Sequence, residues 1–193
     1  MSVFVPLTPD DITQGKRCGA EREAFHRSKG TPQAKRLPPE KSLSTNIDGA
    51  IAEIAAANYL ETRDWWVCCT PRYGELKGDV WPGVQVRGTV ASNGHLLLYR
   101  GDPSLSVRRL DKGDDPWHRY ILARLHALPM VELVGWIVGG EGMTEDNWNR
   151  RARFPCYWVK PYLLNAMEPL KLAVAEERAR GIGRLQPLKG AST

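Results

Sequence analysis

The chain is predicted to be a single α/β (α+β) domain, with a mixed central β-sheet of about five or six strands flanked by helices. Three observations predict it. An alanine-rich segment at 47–60 has the apolar spacing of a helix, whereas several short apolar runs between 65 and 159 have the length and turn boundaries of strands. Third, 193 residues with 42% hydrophobic and 25% charged side chains suit one globular unit with a real core.

The elements follow in order. Residues 1–44 read as a basic, proline-containing N-terminal arm, solvated and with room for a short helix around Arg22–Arg27. A domain at 45–180 and a flexible tail at 181–193 complete the division. The first firm element is the helix from Ile47 to Leu60, with Ser44, Thr45 and Asp48 as candidate caps. Ile47, Ile51, Ile54 and Ala55 mark its apolar stripe. Gly49, Ala52, Glu53, Ala56 and Ala57 form a second face, whose small residues allow close approach to a sheet and set one carboxylate there.

Trp65–Cys69 reads as a strand on its aromatic and strand-favouring residues. Asp79–Trp81 begins a short strand stopped by the turn Pro82–Gly83, and Val84–Val90 and His95–Arg100 are the next two. Arg119–His126 fits a helix or a strand; the turn Ala127–Leu128–Pro129 and the strand Val131–Val138 after it favour a hairpin. Cys156–Val159 is the last strand, and Leu170–Arg180 a C-terminal helix. Trp136 and Trp158, inside apolar strands, are expected in the core.

Composition narrows the function classes. The net charge of +5 favours polyanionic partners. No apolar run reaches the span of a membrane helix, and the N-terminus lacks the pattern of a secretory signal, so a cytoplasmic protein is expected. The four cysteines, Cys18, Cys68, Cys69 and Cys156, form no C-x-x-C pair and are expected as buried free thiols, not a zinc site. No H-E-x-x-H segment and no phosphate-binding G-x-x-x-x-G-K-[ST] loop is present.

The chemistry-bearing residues gather in one stretch. Gln85 and Arg87 lie two apart on a strand and share a face, opposite Val84 and Val86. Asp79 opens the strand before the Pro82–Gly83 turn, and pairing across that turn brings it near Gln85. The small-residue face of the helix carries Glu53 towards the same spot. Plainer roles exist for each residue. Asp79 after Gly78 suits a turn aspartate, and Glu53 suits an ion pair with Arg87, with Gln85 hydrogen-bonded beside it.

A helix glutamate, then Asp79, then Gln85-x-Arg87, resembles the PD-(D/E)XK nuclease superfamily. The ordered segments GAIAEIAAANYL, GDVWPGVQVRGT, VELVGWIVGGEG and FPCYWVKPYLL are similar to nuclease-like proteins of tailed bacteriophages. The resemblance covers about Asn46 to Leu164 and implies a restriction-endonuclease-like fold in a protein of the host cell cytoplasm. It implies metal-dependent hydrolysis of DNA, with Mg²⁺ or Mn²⁺ held by Asp79 and Glu53 as oxygen ligands. Asp79, Gln85, Arg87 and Glu53 are the implied catalytic set.

Two positions depart from the superfamily pattern. Gln85 stands where an acidic residue is usual and offers a neutral amide oxygen. Arg87 stands at the lysine position; a guanidinium stays protonated, so it holds a phosphate but takes no proton. These departures open an alternative: a nuclease-fold protein that no longer cuts and instead binds DNA or inhibits a host or defence protein. Arg72, Lys77, Arg100 and Arg108 are candidate contacts to DNA phosphates.

Overall fold

The computed structural model describes residues 2–29, 37–66, 68, 78–100, 114–151 and 156–182. The described chain is an α+β protein with a mixed sheet flanked by helices. It begins with strand β1 (Val3–Pro6) and helix α1 (Pro9–Ser28), where the sequence suggests a solvated arm. The start of α1 follows from local chemistry. Thr8 caps the helix by accepting from the Asp11 backbone, Asp11 returns a bond to the Thr8 backbone, and Pro9 occupies the first turn. Helix α2 (Pro39–Tyr59) also starts earlier than its apolar stripe, again with proline in the first turn, so a boundary at 44 falls inside it.

The α1 helix escapes an apolar-pattern reading because its buried face is Gly15, Cys18, Gly19, Arg22 and Glu23. The two glycines serve a close approach. A Cβ at Gly19 would lie 2.5 Å from the Ile47 backbone, and one at Gly15 would lie 2.5 Å from the Ile51 side chain. Helix α2 is thereby covered on one side by α1 and on the other by the sheet, which leaves Ala50 through Ala57 wholly buried.

The remaining strands are β2 (Val84–Thr89), β3 (Leu96–Tyr99), β4 (Arg119–Ala127), β5 (Met130–Val138), β6 (Trp148–Asn149) and β7 (Cys156–Val159). A short helix α3 (Gly139–Gly142) follows β5, and α4 (Met167–Ala179) closes the described chain. They form two sheets where the sequence suggests one. The first has order β1-β5-β4-β2, with β2 parallel to β4 and the other pairs antiparallel. The second has order β3-β7-β6 and is antiparallel. The ambiguous segment at 119–126 is strand β4, paired with β5 as a hairpin.

Alternation along β4 explains the layering. Ile121, Ala123 and Leu125 pack with α2 in the larger core, and Tyr120 and Leu122 pack in a second core with Leu96, Leu98, Ile137, Tyr157 and Val159. The first sheet is therefore sandwiched between the helices and the second sheet. Trp65 and Trp66 lie in a turn after α2 instead of a strand, and both are buried. Residues 79–81 form a bend, with only an isolated bridge from Trp81 to Val84. Trp158 is 38% exposed, against the expectation of a core residue.

Candidate functional site

The site is built at the edge strand β2. Gly78 to Gly83 fold into a tight loop that returns directly into this strand. The Asp79 amide donates to the Val84 carbonyl at 2.8 Å, and the Val84 amide donates to the Trp81 carbonyl at 2.8 Å. Gly78 is required here, because a Cβ would collide with the Trp81 carbonyl. Gly83 has φ of 70°, the left-handed value a glycine adopts without strain. Glu177 of α4 holds the loop from outside, accepting from the Trp81 indole at 2.7 Å and from Arg119 at 2.9 Å.

This loop fixes the Asp79 carboxylate. Its Oδ2 accepts from the Val86 amide at 2.8 Å. The Gln85 side-chain amide lies against both Asp79 oxygens; with its nitrogen turned towards them it donates to each, at 3.0 and 3.1 Å. Arg87 reaches within 3.9 Å of the same carboxylate. The strand face predicted for Gln85 and Arg87 is correct: both are half-buried, while Val84 and Val86 are buried in the core under α2. Asp79, Gln85 and Arg87 thus converge.

Arg87 has a second, shorter ion pair, to Asp114 at 2.7 Å. Asp114 also accepts from the Tyr99 amide at 2.9 Å, which ties the end of β3 to the site. The guanidinium lies over the Tyr120 ring, 5.3 Å from its centre. Burial, then the Asp114 charge, push the Tyr120 phenol well above its ordinary pKa.

Glu53 approaches from α2 and has different partners. Its two oxygens receive both terminal nitrogens of Arg22, at 2.7 and 2.5 Å, and the Trp66 indole nitrogen at 3.0 Å. The ion pair envisaged between Glu53 and Arg87 is corrected: Arg22 holds Glu53, and Asp114 holds Arg87. Both members of the Arg22–Glu53 pair are buried. Burial pushes the Glu53 carboxyl above its usual range; Arg22 and Trp66 pull against that rise, and the nearby Asp79 charge adds to it.

Arg22 also donates to the Cys68 carbonyl at 3.0 Å, and Cys18, one turn earlier on α1, forms a disulfide with Cys68. This corrects the expectation that both are free thiols; Cys156 is free and buried. Apolar-pattern reasoning missed Arg22 because the signal was small, not apolar. Gly15, Cys18, Gly19 and Arg22 repeat at helical spacing along the face of α1 that meets α2. Asp114 gave no signal, since a loop aspartate has no periodicity to betray its partner.

The donor set can be weighed against a divalent cation. Among the described residues no group of three or more His, Cys, Asp or Glu side chains converges. The Asp79 carboxylate is the oxygen donor at this spot, since the Gln85 nitrogen faces it, and a half rotation of the Gln85 amide would add a neutral oxygen; Mg²⁺ commonly takes one or two protein oxygens, with waters and substrate phosphate as the rest. With the amide so turned, the pair would fit such a partial site. Of the candidate DNA contacts, Arg100 is exposed beside the Trp148 ring, while Arg72, Lys77 and Arg108 lie outside the described residues. Among the described helices none is long and apolar enough to cross a membrane. Comparison with known proteins finds no matching family model, curated protein or solved structure.

Proposed function

We propose that the protein is a metal-dependent DNA phosphodiesterase of the PD-(D/E)XK nuclease kind, with Asp79 and Gln85 at the cation and Arg87 at the scissile phosphate. The observation that carries this reading is the contact of the Gln85 amide with both Asp79 oxygens, at 3.0 and 3.1 Å, on a strand that also presents Arg87. The DNA substrate rests on the superfamily resemblance and on the net charge of +5.

A bound Mg²⁺ or Mn²⁺ supplies a more acidic water and neutralises phosphate charge. The chain's own residues do the rest. The Val86 amide orients the Asp79 carboxylate. Gln85 would hold the cation through its amide oxygen, which requires a half rotation from the orientation that donates to Asp79. Arg87 binds a phosphate oxygen in competition with Asp114 and stabilises charge that develops there. It has no lone pair with which to take a proton from water. Glu53 is engaged by Arg22 and Trp66, near enough to Asp79 for the two charges to interact.

A second reading is favoured by the two ion pairs. Arg22 occupies Glu53, and Asp114 occupies Arg87, as expected of a nuclease scaffold that binds DNA, or a host or defence protein, without cutting. One experiment separates the two. Purified protein is incubated with linear and circular, single- and double-stranded DNA plus Mg²⁺ or Mn²⁺. Cleavage by the parent that is lost in Asp79→Ala supports the enzyme; binding without product, equal in both proteins, supports the second reading.

A further inference from the structure

The sheet β3-β7-β6 has one face in the second core and one face outward. Leu96, Leu98, Tyr157 and Val159 point inward and are buried. Alternation then sends His95, Leu97 and Trp158 outward, together with Lys160 just past the end of β7. The register agrees, since Leu97 pairs with Trp158 across the two strands. Trp158 sits on the central strand of this sheet and is 38% exposed. The His95 ring lies against it, with centres 5.5 Å apart and planes inclined by 32°. Lys160 lies 5.7 Å from the centre of the Tyr162 ring, which is 75% exposed.

Among the described residues of this sheet and its ends, the charged side chains are all basic. Arg100, Arg150, Arg151 and Lys160 are exposed at its ends, and the segments 95–100, 148–151 and 156–160 contain no aspartate or glutamate. Flat rings on a sheet with cations at its ends offer stacking to unpaired bases and pairing to phosphates. A duplex hides its base planes and gains only the charge part.

We infer that the outer face of the β3-β7-β6 sheet binds single-stranded DNA, with Trp158 and His95 as the stacking platform and the surrounding cations holding the backbone. The C-terminal end of β3 is tied through the Tyr99 amide and Asp114 to Arg87, at 2.9 and 2.7 Å. That end of β3 is where this sheet meets the candidate site. The choice of DNA over RNA rests on the function proposed above; the stacking surface itself does not.

The test is fluorescence anisotropy with a labelled oligo-thymidine at low salt in the presence of chelator, which removes any dependence on cleavage. The parent is expected to bind the oligonucleotide more tightly than a duplex. Trp158→Ala should weaken it by about tenfold or more, and Trp158→Phe should stay within about threefold of the parent. Lys160→Glu, a change at an exposed position, should also weaken binding, and the loss should shrink as salt rises. Equal affinity of the parent for duplex and single strand, or unchanged binding in both Trp158→Ala and Lys160→Glu, would overturn the inference. Tighter binding to oligo-uridine would overturn the assignment to DNA, and a change in oligomeric mass on Trp158→Ala would mark the face as a protein interface instead.

Discussion

The guanidinium of Arg22 and the carboxylate of Glu53 meet as a two-point ion pair inside the protein, at 2.7 and 2.5 Å, with α1 supplying one charge and α2 the other. Such a pair is defended by its completeness. Removing one partner leaves a buried charge, whereas replacing both with apolar groups does not. Arg22→Met is expected to destabilise the fold by about 3–5 kcal/mol near neutral pH. The double variant Arg22→Met/Glu53→Leu should recover most of that loss. The pH dependence has a definite sign. Burial already raises the Glu53 carboxyl above 4.5, and losing Arg22 raises it further. A folded state that holds its proton more tightly is favoured at acid pH and loses stability as pH rises above the ordinary value. Urea denaturation at several pH values measures this; equal stability of the single and double variants at neutral pH would refute the argument.

The disulfide between Cys18 and Cys68 closes a separation of 50 residues and fastens the turn after α2 onto α1. Cross-links of this kind typically contribute about 2–4 kcal/mol, chiefly by restricting the unfolded chain. Cys18→Ser should therefore lower stability by that order under non-reducing conditions. In a strong thiol reductant the parent should fall to the level of the variant. A parent whose denaturation midpoint ignores the reductant would show that the bond contributes nothing.

The contrast between β2 and α1 explains what a sequence reader sees here. Alternation in Val84–Gln85–Val86–Arg87 predicts which pair is buried and which faces the site, because strand period is rigid and one face is core. Asp79 is likewise legible through the turn at Pro82–Gly83. Helix α1 was not legible as a packed element, since it docks through glycines, a disulfide and the charged residues Arg22 and Glu23. Its capping box, Thr8 with Asp11, was the available sign. The partner of Glu53 was misread for the same reason: an arginine some 30 residues upstream becomes a neighbour only once α1 is known to cross α2. Division of the strands into two sheets depends on long-range pairing of β3 with β7, which no local pattern encodes.

Tyr59 links α2 to α4 by donating to Glu168 at 2.9 Å. Burial and the Glu168 carboxylate push its phenol from 10.0 up to about 12. The folded state thus keeps this proton more tightly than the unfolded chain. Its contribution is present below pH 10 and is lost as pH rises from 10 towards about 12. Thermal unfolding across that interval should show a decline in the parent that is shallower in Tyr59→Phe. Identical slopes for the two proteins would mean that the bond to Glu168 has no energetic role.

Gln85 is the residue through which the cation reading is most open to attack. Its amide lies 3.0 and 3.1 Å from the Asp79 oxygens, so Gln85→Glu brings two carboxylates into one small site. Without a cation the two like charges repel. Arg87, at 3.9 Å from Asp79 and already engaged by Asp114, offsets only part of that repulsion. The metal-free variant should be less stable than the parent by about 1–2 kcal/mol. Millimolar Mg²⁺ or Mn²⁺ should then raise its melting temperature by more than it raises that of the parent, because a second carboxylate strengthens an oxygen site for a hard cation. Gln85→Ala serves as the comparison, since it removes the amide oxygen and adds no charge. Should the two ions stabilise Gln85→Glu no more than Gln85→Ala, Asp79 and residue 85 do not share a cation, and the carboxylate of Asp79 is left with the Val86 amide as a structural turn residue.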